Sequence, residues 1–187
     1  MRFEEYYAFL QRRSRLALFY RRWYLYPLLC RYLSGRVLDI GCGIGDFLAY
    51  RSGTVGIDVN PLLVEHCRRS GWEAHWVNTL PLPFAARSFA GAVMDNVLEH
   101  LEEPGAMLAE ARRILAARGT LVVGVPGRKG FASDPDHRHF YDEVRLRAHL
   151  ESSGFQCEKF RHLPVRVPRL DLYFSQFALY GVFRRID

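Results

Sequence analysis

The sequence has no C-x-x-C pair; its four cysteines, Cys30, Cys42, Cys67 and Cys157, are scattered. That spacing carries no zinc signature and suits a reducing compartment, so neither a disulfide framework nor a metal site is expected. Nor is there an apolar run of about 18 residues, the length a membrane-spanning helix needs. The first residues lack the apolar region and small-residue cleavage site of a secretory signal, and the expected location is cytoplasmic. With no internal repeat and no low-complexity linker, the 187 residues, 49% of them hydrophobic, read as one domain with a sizeable core.

Acidic residues are scarce at the start. Residues 1–36 hold eight arginines against Glu4 and Glu5, while the remainder carries eighteen basic and eighteen acidic residues, so the net charge of +6 sits in this first segment. Such asymmetry suits an anionic membrane or nucleic-acid surface, or simply a solvated helix face. From Phe3 to about Leu25, Phe9, Leu16, Tyr20 and Trp23 recur at helical spacing with Gln11, Arg15, Arg21 and Arg22 on other faces. The pattern is that of an amphipathic helix whose aromatic stripe enters the core. Pro27 breaks that helix or starts a short one running to Leu33.

Val37 to Phe47 reads VLDIGCGIGDF: a buried strand followed by three alternate glycines, Gly41, Gly43 and Gly45, in a turn where a ligand can touch main chain. A dinucleotide fingerprint needs glycine where Asp46 stands. With Asp39 and Asp46 on the loop, phosphate is repelled and an amine or sulfonium attracted. Thr54–Asp58 is a second strand ending in an acid that can accept from both hydroxyls of a ribose. Asn60 and Pro61 look like the cap and first residue of a helix ending at Gly71. Further strands are expected at 73–77, 88–95, 120–125 and 155–160, with helices from Glu103 to Ala117 and from Asp142 to Gly154. Residues 126–140 form a long polar loop. The alternation predicts a doubly wound α/β fold.

The string VLDIGCGIGDF resembles the first motif of the class I S-adenosylmethionine-dependent methyltransferases, and the similarity continues to about Pro164. The resemblance implies a Rossmann-like methyltransferase fold, with a mostly parallel seven-stranded sheet. It divides the chain into an N-terminal helical cap (1–34), a cofactor-binding core (35–163) and a segment (164–187) completing or covering the sheet. It implies S-adenosylmethionine as cofactor, held by Asp39, Gly41, Cys42, Gly43 and Gly45 on the loop, Asp58 and Val59 after the second strand, Asn78 and Thr79 beside the adenine, and Asp95 and Asn96 after the fourth strand. Tyr6 or Tyr7 would stand near the pocket. Asn78 departs from the usual aspartate, and Ala90 stands where aspartate is common. The Asn/Asp-Pro-Pro-Tyr signature of many base and amide N-methylating relatives is missing after Asp95, so nucleic acid is not the expected partner. In the tail, Leu170, Tyr173, Phe174 and Phe177 have helical spacing, whereas the resemblance implies a last antiparallel strand around Gly181–Phe183.

A hydroxyl acceptor needs a base, and histidine has the suitable pKa. His100 follows the fourth strand, and His137 and His139 lie in the loop after the fifth; these are the candidate catalytic residues. Glu99-His100 also resembles a pair in relatives that methylate quinone precursors, some of which use a divalent metal. Arg128, Lys129 and Arg138 suit an acidic acceptor. The expected activity is methyl transfer to oxygen or carbon of a small molecule. Two alternatives compete with it: a non-catalytic cofactor-binding module that docks on a membrane or partner, and an NAD-type oxidoreductase. The latter is opposed by Asp46 and by the lack of a Tyr-x-x-x-Lys pair.

Overall fold

The computed structural model describes residues 2–164 and 177–187. The chain opens with α1 (Phe3–Gln11), α2 (Arg15–Tyr20), a π-helical turn (Arg21–Leu25) and α3 (Tyr26–Cys30). The single helix expected over 3–25 is therefore divided. Gln11 ends α1, and the Ser14 hydroxyl caps α2 by accepting from the Ala17 amide at 3.1 Å. Pro27 sits in the first turn of α3, where its missing N–H is not needed. The aromatic stripe does not enter the core either: Phe9, Leu16 and Trp23 are 59, 78 and 67% exposed. Periodicity found the amphipathic segment but assigned its wet face wrongly, because the buried side is held by Leu25, Tyr26 and Leu29 further along.

Then come β1 (Val37–Ile40), α4 (Asp46–Tyr50), β2 (Thr54–Asp58), α5 (Pro61–Arg69), β3 (Ala74–Trp76) and β4 (Phe89–Asp95). A 3-10 turn (Leu98–His100) leads to α6 (Pro104–Ile114), β5 (Leu115–Pro126), α7 (Arg128–Ala132), α8 (Glu143–Ser152), β6 (Phe155–Leu163) and β7 (Ala178–Arg185). Helix α6 stops at Ile114, three residues before the expected end, because β5 begins at once with Leu115 pairing opposite Phe89. The polar loop expected over 126–140 holds the short helix α7. The tail is a strand at 178–185; Leu170, Tyr173 and Phe174 lie outside the described residues.

The seven strands form one sheet in the order β3-β2-β1-β4-β5-β7-β6. β1 lies between β2 and β4, parallel to both, and β7 runs antiparallel between β5 and β6. All four residues of β1 are buried, and their alternation feeds two cores. Leu38 and Ile40 pack with Leu108, Leu146 and Phe155 on one face; Val37 packs with Leu29, Phe47 and Tyr180 on the other. The reversal of strand order between β1 and β4 opens a crevice at their carboxyl ends, the place where such sheets bind ligands.

Gly124 of β5 lies opposite Tyr180 of β7 in register. A Cβ there would come within 2.4 Å of the Tyr180 ring and 2.8 Å of an Asp95 oxygen. Gly124→Ala should therefore lower stability by about 1–3 kcal/mol, the cost of overpacking. Urea denaturation measures it, and an unchanged midpoint would mean that β7 is not seated in this register.

Candidate functional site

The glycine turn is fixed from outside itself. The amides of Gly41 and Cys42 both donate to the Ile57 carbonyl, at 2.8 and 3.0 Å, which folds the turn back on β2. The Gly43 amide donates to one oxygen of Asp58 at 2.9 Å, and the Asn60 amide donates to the other at 2.9 Å. Asn60 also caps α5 by accepting from the Leu62 amide, as Asn60-Pro61 predicts. Each Asp58 oxygen keeps a lone pair for a ligand, which suits the expected ribose contact. Burial raises the Asp58 carboxyl, and the Asn60 and Gly43 amides pull it back down.

Two cavities meet over this turn, sharing Tyr6, Gly41 and Asn96. One, about 190 Å³, is polar: Arg13, Arg21, Asp39, Asp46 and Asp95 stand around it, with Cys42 and Gly43 in its wall. The other, about 270 Å³, is walled by apolar side chains such as Ile40, Ile57, Val59, Val77 and Met107, with Asp58 and His100 at its edge. An amino-acid end and a flat nucleoside end fit such a divided cleft, which is the shape of S-adenosylmethionine. Gly41 can adopt its φ of +76° and leave room beside Val97, whose Cγ2 would lie 2.4 Å from any Cβ.

The polar cavity gathers three carboxylates, and two arginines of the cap answer it. Arg13 pairs with Asp46, and Arg21 pairs with Asp95 while also donating to the Tyr26 hydroxyl at 2.9 Å. Asp95 accepts from the Tyr180 hydroxyl at 2.6 Å. Asp39 is left as the buried acid of the cavity wall. Burial, and then the neighbouring Asp95, push it up to about 8, so near neutrality it holds a proton until a cation arrives.

Tyr6, not Tyr7, faces the cleft; the Tyr7 hydroxyl lies 3.2 Å from His66 Nδ1. Helix α1 is held over the apolar cavity by the Asn60 side chain, which donates to the Phe3 carbonyl at 3.0 Å. Three expected cofactor residues are not at either wall. Gly45 is turned away, its missing Cβ filled by the Trp72 ring at 2.6 Å. At the far end Val77 forms the wall, and Asn78 and Thr79 do not. Arg13, Arg21, Tyr26 and Tyr180 escaped the sequence reading. Nothing local distinguishes these two arginines from the other six, and Tyr180 reaches the site only through strand pairing.

The histidines divide. His100 lines the apolar cavity, and its imidazole is held below the usual histidine range by burial and then by His137. His137 stands behind it, ring centroids 4.5 Å apart, against the fully buried Glu99. Burial pushes the Glu99 carboxyl up to about 8. His139 is not brought into this pair; its ring lies against Tyr141. The cations expected to greet an acidic acceptor are engaged: Arg138 pairs with Glu102 at 2.9 Å, and Arg128 covers the Phe140 ring.

The titration of Asp39 has a sign. Its folded value lies above the ordinary carboxylate value, so its contribution to stability is complete below about pH 4 and is lost as pH rises through about 8. Without ligand, the unfolding free energy from urea denaturation should fall between about pH 5 and about pH 9, by at most about 1.4 kcal/mol per pH unit from this group. Asp39→Asn should flatten the slope; an unaltered slope would mean that Asp39 titrates normally.

Comparison with known proteins agrees with this geometry. Residues 38–123 match the family model described as a methyltransferase domain. A Mycolicibacterium smegmatis protein named a probable S-adenosylmethionine-dependent methyltransferase is 29% identical over 153 residues, covering 75% of this chain and 60% of its own. A Xenopus tropicalis tRNA (carboxymethyluridine(34)-5-O)-methyltransferase is 32% identical over 94 residues, 48% of this chain and 15% of its own. Among solved structures, a Thermotoga maritima SAM-dependent methyltransferase, titled a possible histamine N-methyltransferase, superposes with a TM-score of 0.75 at 22% identity, covering 98% of this chain and 100% of its own. The chain spans about half or less of the length of other curated relatives that it matches, 47, 37 and 53% of three of them. Among the described residues no helix is long and apolar enough to cross a membrane. Over residues 38–123 the chain is similar to methyltransferase domains, and the strand order and the divided cleft agree with that similarity.

Proposed function

We propose that the protein transfers the methyl group of S-adenosylmethionine to an oxygen or carbon of a small-molecule acceptor. The observation that carries the proposal is the divided cleft with a neutral imidazole at the edge of its apolar half. The cofactor supplies a methyl already activated on a sulfonium, so the chain has to position, exclude water and, for a hydroxyl acceptor, take up a proton. In this reading Asp39 meets the cofactor's ammonium, Asp58 accepts from its ribose and Tyr6 of α1 closes the cleft. His100 faces the acceptor with a free Nε2, because its Nδ1 lies 3.3 Å from the Asp136 carbonyl and can only donate there. The absence of an Asn/Asp-Pro-Pro-Tyr motif at 95–98 favours oxygen or carbon over planar nitrogen.

Calorimetry should detect S-adenosylmethionine and no NAD, with a proton released at neutral pH as Asp39 ionises beside the ammonium. Buffers of different ionisation enthalpy read that proton. Asp58→Ala should weaken binding by about 1.5–3 kcal/mol, the scale of hydrogen bonds to a charged group. Binding of NAD without S-adenosylmethionine would end this reading. With an acceptor in hand, His100→Ala should lower turnover by roughly 10²–10⁴ while cofactor affinity holds. A matching loss of affinity would make His100 a structural residue.

A second reading, docking of the cap on an anionic membrane, is supported by exposed Leu16, Phe19 and Trp23 beside exposed Arg12, Arg15 and Arg22. Arg21, which charge alone would add to that surface, is spent on Asp95. Co-sedimentation with phosphatidylserine vesicles should occur at low salt, fall at high salt and weaken in Trp23→Ser. Sedimentation that ignores both changes, or none at all, removes the docking role.

A further inference from the structure

Behind the wall of the apolar cavity lies a group of hydrogen-bond acceptors with no donor. Glu99 is 0% exposed, and among the described residues neither of its carboxylate oxygens has a hydrogen-bond partner. His137, 8% exposed, places Nε2 at 3.9 Å from a Glu99 oxygen and 3.9 Å from an Asp134 oxygen. Its Nδ1 lies 2.8 Å from the Phe131 carbonyl, and His100 Nδ1 lies 3.3 Å from the Asp136 carbonyl. A carbonyl can only accept, so both rings carry their proton on Nδ1 and present an Nε2 lone pair. A buried carboxyl without a donor, set beside two imidazoles, is costly to ionise unless a cation joins them. A shared proton does not bridge them, since a gap of 3.9 Å is too long for a hydrogen bond between Glu99 and His137.

We propose that Glu99, His100 and His137 bind one divalent transition-metal ion of the zinc class. Their ligand atoms all lie within 4.8 Å of one another. Around an ion with bonds of about 2.0–2.2 Å, tetrahedral ligand atoms stand roughly 3.4 Å apart, so modest side-chain rotation closes the set. Nitrogen and oxygen donors in a two-histidine, one-carboxylate set suit zinc, cobalt or iron(II) rather than magnesium or calcium. The two backbone carbonyls already hold the ring N–H groups, the support that metal-binding histidines require. Three protein ligands leave a fourth position, and His100 places the ion at the wall of the cofactor cleft.

If the transfer reaction proposed above is right, an acceptor oxygen takes that fourth position and loses its proton more readily there. His100 then holds the ion instead of taking the proton itself. This last role rests on the methyl-transfer reading; metal binding does not.

The test titrates the chelator-treated full chain with Co²⁺, followed by its visible ligand-field bands, and with Zn²⁺ in calorimetry. One equivalent should bind, and Glu99→Gln and His137→Ala should each weaken it at least about tenfold. Absence of saturable uptake by the wild type, or wild-type uptake by both variants, overturns the proposal. S-adenosylmethionine is titrated separately into metal-free protein. Cofactor binding without metal uptake defeats the metal site alone, and metal uptake without cofactor binding upholds it while defeating the methyl-transfer reading.

Discussion

The constraint on which this structure depends is the crowding of carboxylates at one end of a parallel sheet. β1, β2 and β4 all point the same way, so Asp39, Asp58 and Asp95 arrive together, and Asp46 at the start of α4 joins them. Like charges in a partly dry crevice repel strongly. Each acid is relieved differently: Asp58 by two backbone amides, Asp46 by Arg13, Asp95 by Arg21 and the Tyr180 hydroxyl, and Asp39 by keeping its proton. The helical cap is thus bound to the core by charge as well as by the packing of Leu25, Tyr26 and Leu29. Removing one partner of such a half-buried pair leaves the other uncompensated, which is more damaging than removing both. Part of the basic character of residues 1–36 is therefore internal, and only the remainder meets solvent.

What could be seen in the sequence was what neighbours in the chain decide. β1 and β2, the turn between them and α5's cap depend on residues a few positions apart, and the glycines, Asp58 and Asn60 announce them. The contacts that complete the site are long-range. Arg21 and Asp95 are 74 positions apart, and Tyr180 and Asp95 are 85 apart. No local pattern marks one arginine among eight as the partner of Asp95. Gly45 misleads for a related reason: a glycine required by a ligand and one required by the Trp72 ring look the same in sequence. Asn78 and Thr79 follow the third strand as expected, but the apolar wall beside them is made by Val77. His137 shows the same limit in another form, since only the fold brings it to Glu99.

The fold and the cap also divide the labour of specificity. The glycine turn and Asp58 are built from main chain and one acid, which any cofactor of this kind can use. The cap, the 3-10 turn after β4 and the segment around α7 contribute side chains that differ in chemistry: Tyr6, Asn96 and His100 face the cleft, while Glu99 and His137 support it from behind. Side chains on loops over a rigid sheet can change without disturbing the sheet's order, so under the proposed methyl transfer the choice of acceptor falls to these parts.

The insertion of β7 between β5 and β6 sets an order on how the protein is made. During synthesis β5 and β6 emerge from the ribosome before β7, yet they are not neighbours and pair only through it. Until residues 178–185 arrive, β5 keeps a bare, largely apolar edge and β6 has no partner in the sheet. Such an edge is a template for another chain. The nascent protein thus passes through an interval in which that edge is open to pairing with another chain. Closure comes when the final strand enters between its two waiting neighbours, the same step that brings the Tyr180 hydroxyl to Asp95 and finishes the site.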